Sequence, residues 1–173
     1  MAGITHGKIK MVVFDVDGVL TDGKIVLDMH GVETKSFNVQ DGTGIKYLLR
    51  SDIRVGLITG RQSGVVSFRA RELGIEDVYQ GVKVKLEAYE KLVEKHGLHD
   101  EEVCYVGDDL PDIPVMRRVG LPVAVANARL EVKNEAAYVT QAEGGAGAVR
   151  EVAEEILKGQ GKWDTIMSRY CKG

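Results

Sequence analysis

The chain has 173 residues, 23 lysines and arginines against 26 aspartates and glutamates, and a formal net charge of −3. That length suits one domain, 1–173, with a sizeable core, and an acidic balance without any basic block excludes the electrostatic footprint of a nucleic-acid binder. With 44% apolar and 28% charged residues, no apolar run near the roughly 20 residues that span a bilayer and no signal-peptide core in MAGITHGKIK, the expected protein is globular and cytoplasmic, with no membrane partner.

Short apolar runs alternate with segments of helical period, which predicts a doubly wound, mostly parallel α/β sheet of Rossmann-like type. In chain order, IKMVVFD predicts the first strand. KIVLDMHGVETKSF, residues 24–37, holds two strand-like runs around DMHG and predicts an inserted β-hairpin too short to be a cap domain. GTGIKYLLRS is a helix, RVGLIT a strand, SGVVSFRARELG a helix, DVYQG a short strand and KLEAYEKLVEKHG a helix. EVCYVGD, PVAVAN and AAYVTQ are further strands, with a helix over DIPVMRRVG. GAVREVAEEILKG carries apolar residues at Val149, Val152, Ala153, Ile156 and Leu157, the stripe of a helix packed on a core. The tail from 159 to 173 has no strong pattern, although Trp163, Ile166, Met167 and Tyr170 fall on one helical face. Cys104, in an apolar run, and Cys171, near the end, are expected to be free. The four histidines, His6, His30, His96 and His99, stand outside every motif and are expected at the surface.

In an open parallel sheet, ligands sit at the carboxyl ends of the strands. The first strand ends in Asp15 and Asp17, the second long strand in Thr59, Gly60 and Arg61. Lys85 opens a helix, and Gly107 leads into Asp108 and Asp109, with Asp112 three residues on. Carboxylates gathered in one cleft raise each other's pKa unless cations compensate, and Lys85 alone is too little. Hard oxygen ligands at strand ends suit Mg²⁺, which takes one or two carboxylates and fills its octahedron with water and phosphate oxygens. Any one of these groups by itself is an ordinary turn, cap or solvated lysine; their shared place at strand ends is what points to a site.

DVDGVLTDG, ITGR, Lys85 and GDDLPD, in that order, resemble the four motifs of the haloacid dehalogenase superfamily of phosphatases, over nearly the whole chain. FDVDGVLTDG, the hairpin, FNVQDGTGI, GDDLPDIPVMRRVGLPVAVANA and GGAGAVRE are similar to the capless branch that acts on 3-deoxy-D-manno-octulosonate 8-phosphate in lipopolysaccharide precursor synthesis. The resemblance implies Asp15 as the nucleophile that takes the phosphoryl group and Asp17 as general acid and base. It implies Thr59 and the Gly60 amide as phosphoryl ligands, Lys85 as charge balance, and Mg²⁺ on Asp15, the Asp17 carbonyl and Asp108. Asp109 and Asp112 would orient Lys85 or the metal's waters. Arg61, then Arg69, are the candidates for a substrate carboxylate, since a guanidinium meets a carboxylate bidentately. Where the resembling branch carries an arginine within GG-x-GA, this chain has Ala146.

Only 41 residues lie between Asp17 and Thr59 and 25 between Thr59 and Lys85, which leaves no room for a cap. The resemblance accordingly implies a homotetramer in which hairpins meet and the chain after Gly144 reaches an adjoining site. Two other readings of the residues stand open: a nine-carbon sugar acid phosphate such as N-acylneuraminate 9-phosphate as substrate, and a non-enzymatic receiver-like or scaffold domain. A receiver places its accepting aspartate after the third strand and its lysine last, unlike the order here.

Overall fold

The computed structural model describes residues 6–171. Strand β1 (Met11–Phe14) is apolar at every position and fully buried, as a central parallel strand covered on both faces must be. It pairs in parallel with β4 (Arg54–Ile58) on one side and β6 (Val103–Gly107) on the other. Outward from β4 comes β5 (Asp77–Tyr79), and outward from β6 come β7 (Leu121–Ala124) and β8 (Tyr138–Val139), giving the order β5-β4-β1-β6-β7-β8. All five pairings are parallel. The chain leaves β1 in one direction and returns to fill the other side, so β1 marks the point where strand order reverses and a crevice opens above the strand ends.

Helices α1 (Val39–Arg50) and α2 (Gly64–Leu73) cross one face; α3 (Lys85–His96) and the short α4 (Ile113–Met116) and α5 (Leu130–Glu135) cross the other. Helix α6 (Ala148–Gly159) returns to pack along α1, and α7 (Trp163–Met167) follows it. Helices α2 and α3 end at Gly74 and Gly97 in the left-handed conformation, a C-terminal cap that L side chains reach only with strain. Helix α1 begins earlier than its apolar pattern suggests. Asn38 caps it, its side-chain oxygen accepting from the amides of Gln40 and Asp41. Gly42 and Gly44 in the first turns hide the periodicity, and their lack of a Cβ serves packing: a Cβ on Gly44 would lie 3.0 Å from the Arg150 Cα across the α1–α6 contact. Helix α5, six residues without a periodic pattern, is absent from the sequence reading, and α4 is shorter than the helix expected over 112–120.

The chain after Gly144 packs largely on its own fold. Asp41 on α1 accepts from the amides of Gly147 and Arg150 and so caps α6, while Val149, Val152, Ala153, Ile156 and Leu157 lie buried in the core. Each large side chain of that stripe contributes about 1.5–3 kcal/mol of transfer free energy, far more than an exposed arm would gain. Even Trp163 packs edge-on to Tyr47 of α1. One expectation is corrected: His96 is no surface residue, for its Nε2 lies 2.8 Å from the buried Asp77 carboxylate, which Lys95 also holds. His30 and His99 are exposed, and the side chain of His6 lies outside the described residues. Both cysteines are free. No helix among the described residues is long and apolar enough to cross a membrane.

The hairpin forms between β1 and α1 as β2 (Val26–Leu27) against β3 (Glu33–Thr34). Asp28 closes its turn, accepting from the amides of His30 and Val32, and Gly31 supplies the positive φ. Its apolar side chains, Ile25, Val26, Leu27, Met29 and Val32, all face solvent in the single chain.

Candidate active site

A cleft of about 400 Å³ opens at the carboxyl ends of β1, β4 and β6, lined by Asp15, Asp17, Thr59, Gly60, Arg61, Lys83, Lys85, Asp108, Asp109 and Asp112 among others. That volume suits a small polar ligand. A second concavity, of about 300 Å³ near Arg54 and Glu76, lies at the opposite ends of the strands, away from these groups.

At the centre is a buried charge network. Asp15, 5% exposed, follows β1 directly, and its amide donates to the Val106 carbonyl of β6. Lys85, first residue of α3, comes from the far side of the sheet; its Nζ lies 2.7 Å from Asp15 Oδ1 and 2.6 Å from Asp112 Oδ1. Asp112 is wholly buried and its acceptor positions are filled: Oδ1 also receives the Tyr105 hydroxyl at 2.7 Å, and Oδ2 the amides of Asp108 and Asp109 at 2.9 and 3.1 Å. A carboxylate so saturated works as an anchor that fixes Lys85 and the loop after β6. Burial pulls the Lys85 pKa down, but Asp15 and Asp112 outweigh it, so the ammonium stays charged. Burial raises the Tyr105 hydroxyl far above its usual range and keeps it a donor.

The opposite situation holds for Asp108. Its Oδ1 is buried and has no hydrogen-bond partner. Burial first, then the Asp15 and Asp112 carboxylates, push its pKa up to about 8; burial also lifts Asp15 to about 6 despite Lys85. Carboxylate oxygens of Asp15, Asp108 and Asp112 lie within 4.8 Å of one another. An orphaned buried oxygen beside a second acidic group, both protonated too easily for want of positive charge, is the donor set a hard divalent cation fits. Since Asp112 is saturated, Asp15 and Asp108 are the side chains left to hold it. Gly18 makes the space: at φ +105°, a Cβ there would stand 2.1 Å from Asp108 Oδ2.

Thr59 and Gly60 follow β4 directly and line the cleft with Asp15. The Thr59 amide and carbonyl bond to Tyr79 and Val82, which holds the loop against β5. Asp17 points toward the hairpin, and its carboxylate accepts from Lys35, whose side chain is 1% exposed. Arg61 turns its Nη2 to Glu33 of β3 at 2.6 Å and leaves Nη1 buried without a partner. Ser63 also donates to Glu33.

The structure thus brings Asp15, Asp17, Thr59, Gly60, Arg61, Lys85, Asp108, Asp109 and Asp112 to one cleft, and leaves one expectation unmet. Arg69 is not there. It lies on α2 over the Phe37 ring and against Gly42, paired with Glu72. Of the two outer aspartates, Asp112 is the one that holds Lys85, while the Asp109 carboxylate caps the turn at Leu110. Sequence reasoning missed Lys35, Glu33 and Tyr105. Charges on a two-stranded ribbon look solvated, and a tyrosine in an apolar run looks like core; no local signal marks any of them. The GG-x-GA segment packs by close backbone approach: a Cβ on Gly144 would meet the Gly18 carbonyl at 1.7 Å, and Gly145 donates to the Val19 carbonyl. Ala146 is exposed beside it.

The model for haloacid dehalogenase-like hydrolases matches residues 75–152. The 3-deoxy-D-manno-octulosonate 8-phosphate phosphatase KdsC of Escherichia coli K12 is 51% identical over 156 residues, 90% of this chain and 83% of that one. A crystal structure of a probable YrbI family phosphatase from Pseudomonas syringae superposes with a TM-score of 0.96 at 48% identity, covering 97% of this chain and 96% of that one. A third relative, the 3-deoxy-D-manno-octulosonate 8-phosphate phosphatase of Moraxella catarrhalis, was solved with magnesium ion, phosphate ion and KDO; it superposes with a TM-score of 0.94 at 42% identity, covering 96% and 95%.

Proposed function

The chain belongs to the haloacid dehalogenase-like hydrolases, and from that premise we propose that it hydrolyses 3-deoxy-D-manno-octulosonate 8-phosphate to the free sugar acid and inorganic phosphate, in the supply of lipopolysaccharide precursors. It is a phosphoric monoester hydrolase with Mg²⁺ as cofactor. The observation that carries the reading is the Asp15–Lys85–Asp112 network beside the unpartnered oxygen of Asp108. Support for the substrate comes from the relatives at 51% and 42% identity.

In the reaction proposed, an Asp15 oxygen forms a bond to phosphorus as the bond from phosphorus to the sugar's O8 breaks. Asp17 gives a proton to the departing alkoxide. The aspartyl phosphate on Asp15 is then opened by water, whose proton Asp17 takes, and phosphate leaves. Thr59 and the Gly60 amide hold phosphoryl oxygens, and Lys85 offsets charge on Asp15 and the transferring group. Asp15, Asp108 and the Asp17 carbonyl would hold Mg²⁺, which when bound supplies charge neutralisation at the phosphoryl group. Lys35 fixes where the Asp17 carboxylate stands, so the hairpin reaches the chemistry of its own chain.

The hairpin also supports assembly. Five exposed apolar side chains on a ribbon that is marginal alone favour burial against copies of itself, so we propose a homotetramer built on this segment, in the cytoplasm. The reaction is tested by phosphate release from the sugar acid phosphate. Activity is expected to vanish with EDTA and in Asp15→Asn, and to fall roughly a hundredfold or more in Asp17→Asn. Full turnover in Asp15→Asn would overturn it.

A further inference from the structure

The cleft is electrically divided along the sheet. On the β6 side of Asp15 stand Asp108, Asp109 and Asp112; on the β4–β5 side stand Arg61 and Lys83. Most of the cations are already engaged. Lys85 holds Asp15 and Asp112, Lys35 holds Asp17, and Nη2 of Arg61 holds Glu33. Two donors remain open. Nη1 of Arg61 is buried and unpartnered, and Lys83, exposed on the cleft lining, forms no ion pair or hydrogen bond through its side chain among the described residues.

We propose that Lys83 is a specificity-determining residue that, together with Nη1 of Arg61, receives the carboxylate of a sugar acid phosphate whose phosphoryl group sits at Asp15. The inference rests on the proposed reaction and goes beyond it by naming what reads the acid end of the substrate. Lys83 and Lys85 are two residues apart on backbone that is extended at Val84, with φ −125° and ψ 101°. Their Cα atoms are therefore about 7 Å apart, a separation of the order of one sugar ring. Lys85 marks the phosphoryl end, and Lys83 lines the same cleft on the side away from the carboxylates after β6, within reach of the acid end for a long, flexible side chain. The carboxylates after β6 repel an acid from the other lip, so the substrate has one electrostatically favoured direction in the cleft. Glu33 completes the arrangement. By holding Nη2 it fixes the Arg61 fork with Nη1 left unpaired, so that a small turn of the side chain brings that donor to the cleft.

The fold gains nothing evident from Lys83, since an unpaired exposed lysine contributes little to stability. The test is Lys83→Ser in the full-length protein with Mg²⁺. KM is measured for the sugar acid phosphate and for a hexose 6-phosphate lacking the carboxylate, with inhibition by free 3-deoxy-D-manno-octulosonate measured against an aryl phosphate. Expected are a roughly three- to tenfold rise in KM for the acid and in its inhibition constant, a nearly unchanged kcat, and a smaller change for the hexose phosphate. The difference should shrink at about 1 M salt, where the screening length falls to about 3 Å, and Lys83→Arg should restore most of it. An equal rise for both substrates would assign Lys83 to the phosphate instead, and no rise for the acid would make it a solvated lysine; either result overturns the inference. If the wild-type protein cleaves aryl phosphate but not the acid phosphate, the substrate reading fails by itself, and the clamp then stands or falls on inhibition by the free acid.

Discussion

Asp108→Asn replaces a carboxyl that the folded cleft resists ionising with a neutral amide of the same shape, and its effect on the metal-free protein should be to stabilise. Burial, then Asp15 and Asp112, raise the Asp108 carboxyl from 3.8 to about 8. In the unfolded chain the group ionises above 3.8; in the folded chain it resists until about 8. The cost to folding is therefore absent below pH 3.8, grows as the pH rises, and levels off above 8. At pH 7, where the folded group is mostly protonated, taking up that proton costs about 4 kcal/mol at 1.36 kcal/mol per pH unit. Partial exposure and solvent screening reduce that to roughly 2 kcal/mol. For a chain of this size the relief corresponds to a melting temperature about 4–8 °C higher in the variant. Thermal unfolding followed by circular dichroism in EDTA, at pH 4 and pH 7.5, checks it: the two proteins should melt together at pH 4 and separate at pH 7.5. Saturating Mg²⁺ should then reverse the order, since binding to the wild-type site at a hundred times Kd adds about 2.7 kcal/mol and the variant has lost a ligand. A metal-free variant that melts at or below wild type at pH 7.5, or an equal gain from Mg²⁺ in both, would refute this account of the carboxylate cluster.

Lys85→Met leaves Asp15 and Asp112 buried without their cation, at a cost of about 3–5 kcal/mol. The loss should deepen between pH 5 and pH 8 as Asp15, no longer held down by Lys85, is forced to ionise, and pH-dependent melts would show the trend. Light scattering should find a tetramer, and Leu27→Glu with Met29→Glu should lower the mass while leaving the circular dichroism unchanged; a wild-type monomer would exclude the shared hairpin interface.

Much of this molecule is legible from the chain alone, because its information is local. Apolar runs of four or five residues and a 3.6-residue period specify β1, β4, β6 and α6 wherever they end up, and a parallel sheet then obliges whatever follows each strand to meet at one end. That is why Asp15, Thr59, Lys85 and Asp108 could be placed in one cleft before any contact was known. What tertiary structure decided depends on encounters between distant residues. Asp112 is saturated only because Tyr105 and Lys85 reach it together, which leaves Asp108 as the open carboxylate. Arg69 leaves the cleft because Gly42 offers it a seat on α1, and Glu33 and Lys35 join the site because the hairpin folds back on it. The segment after Gly144 packs against its own chain because Asp41 supplies the cap that α6 lacks locally. Periodicity records which face of an element is buried, but the partner that covers it is chosen by contacts across more than a hundred residues of sequence.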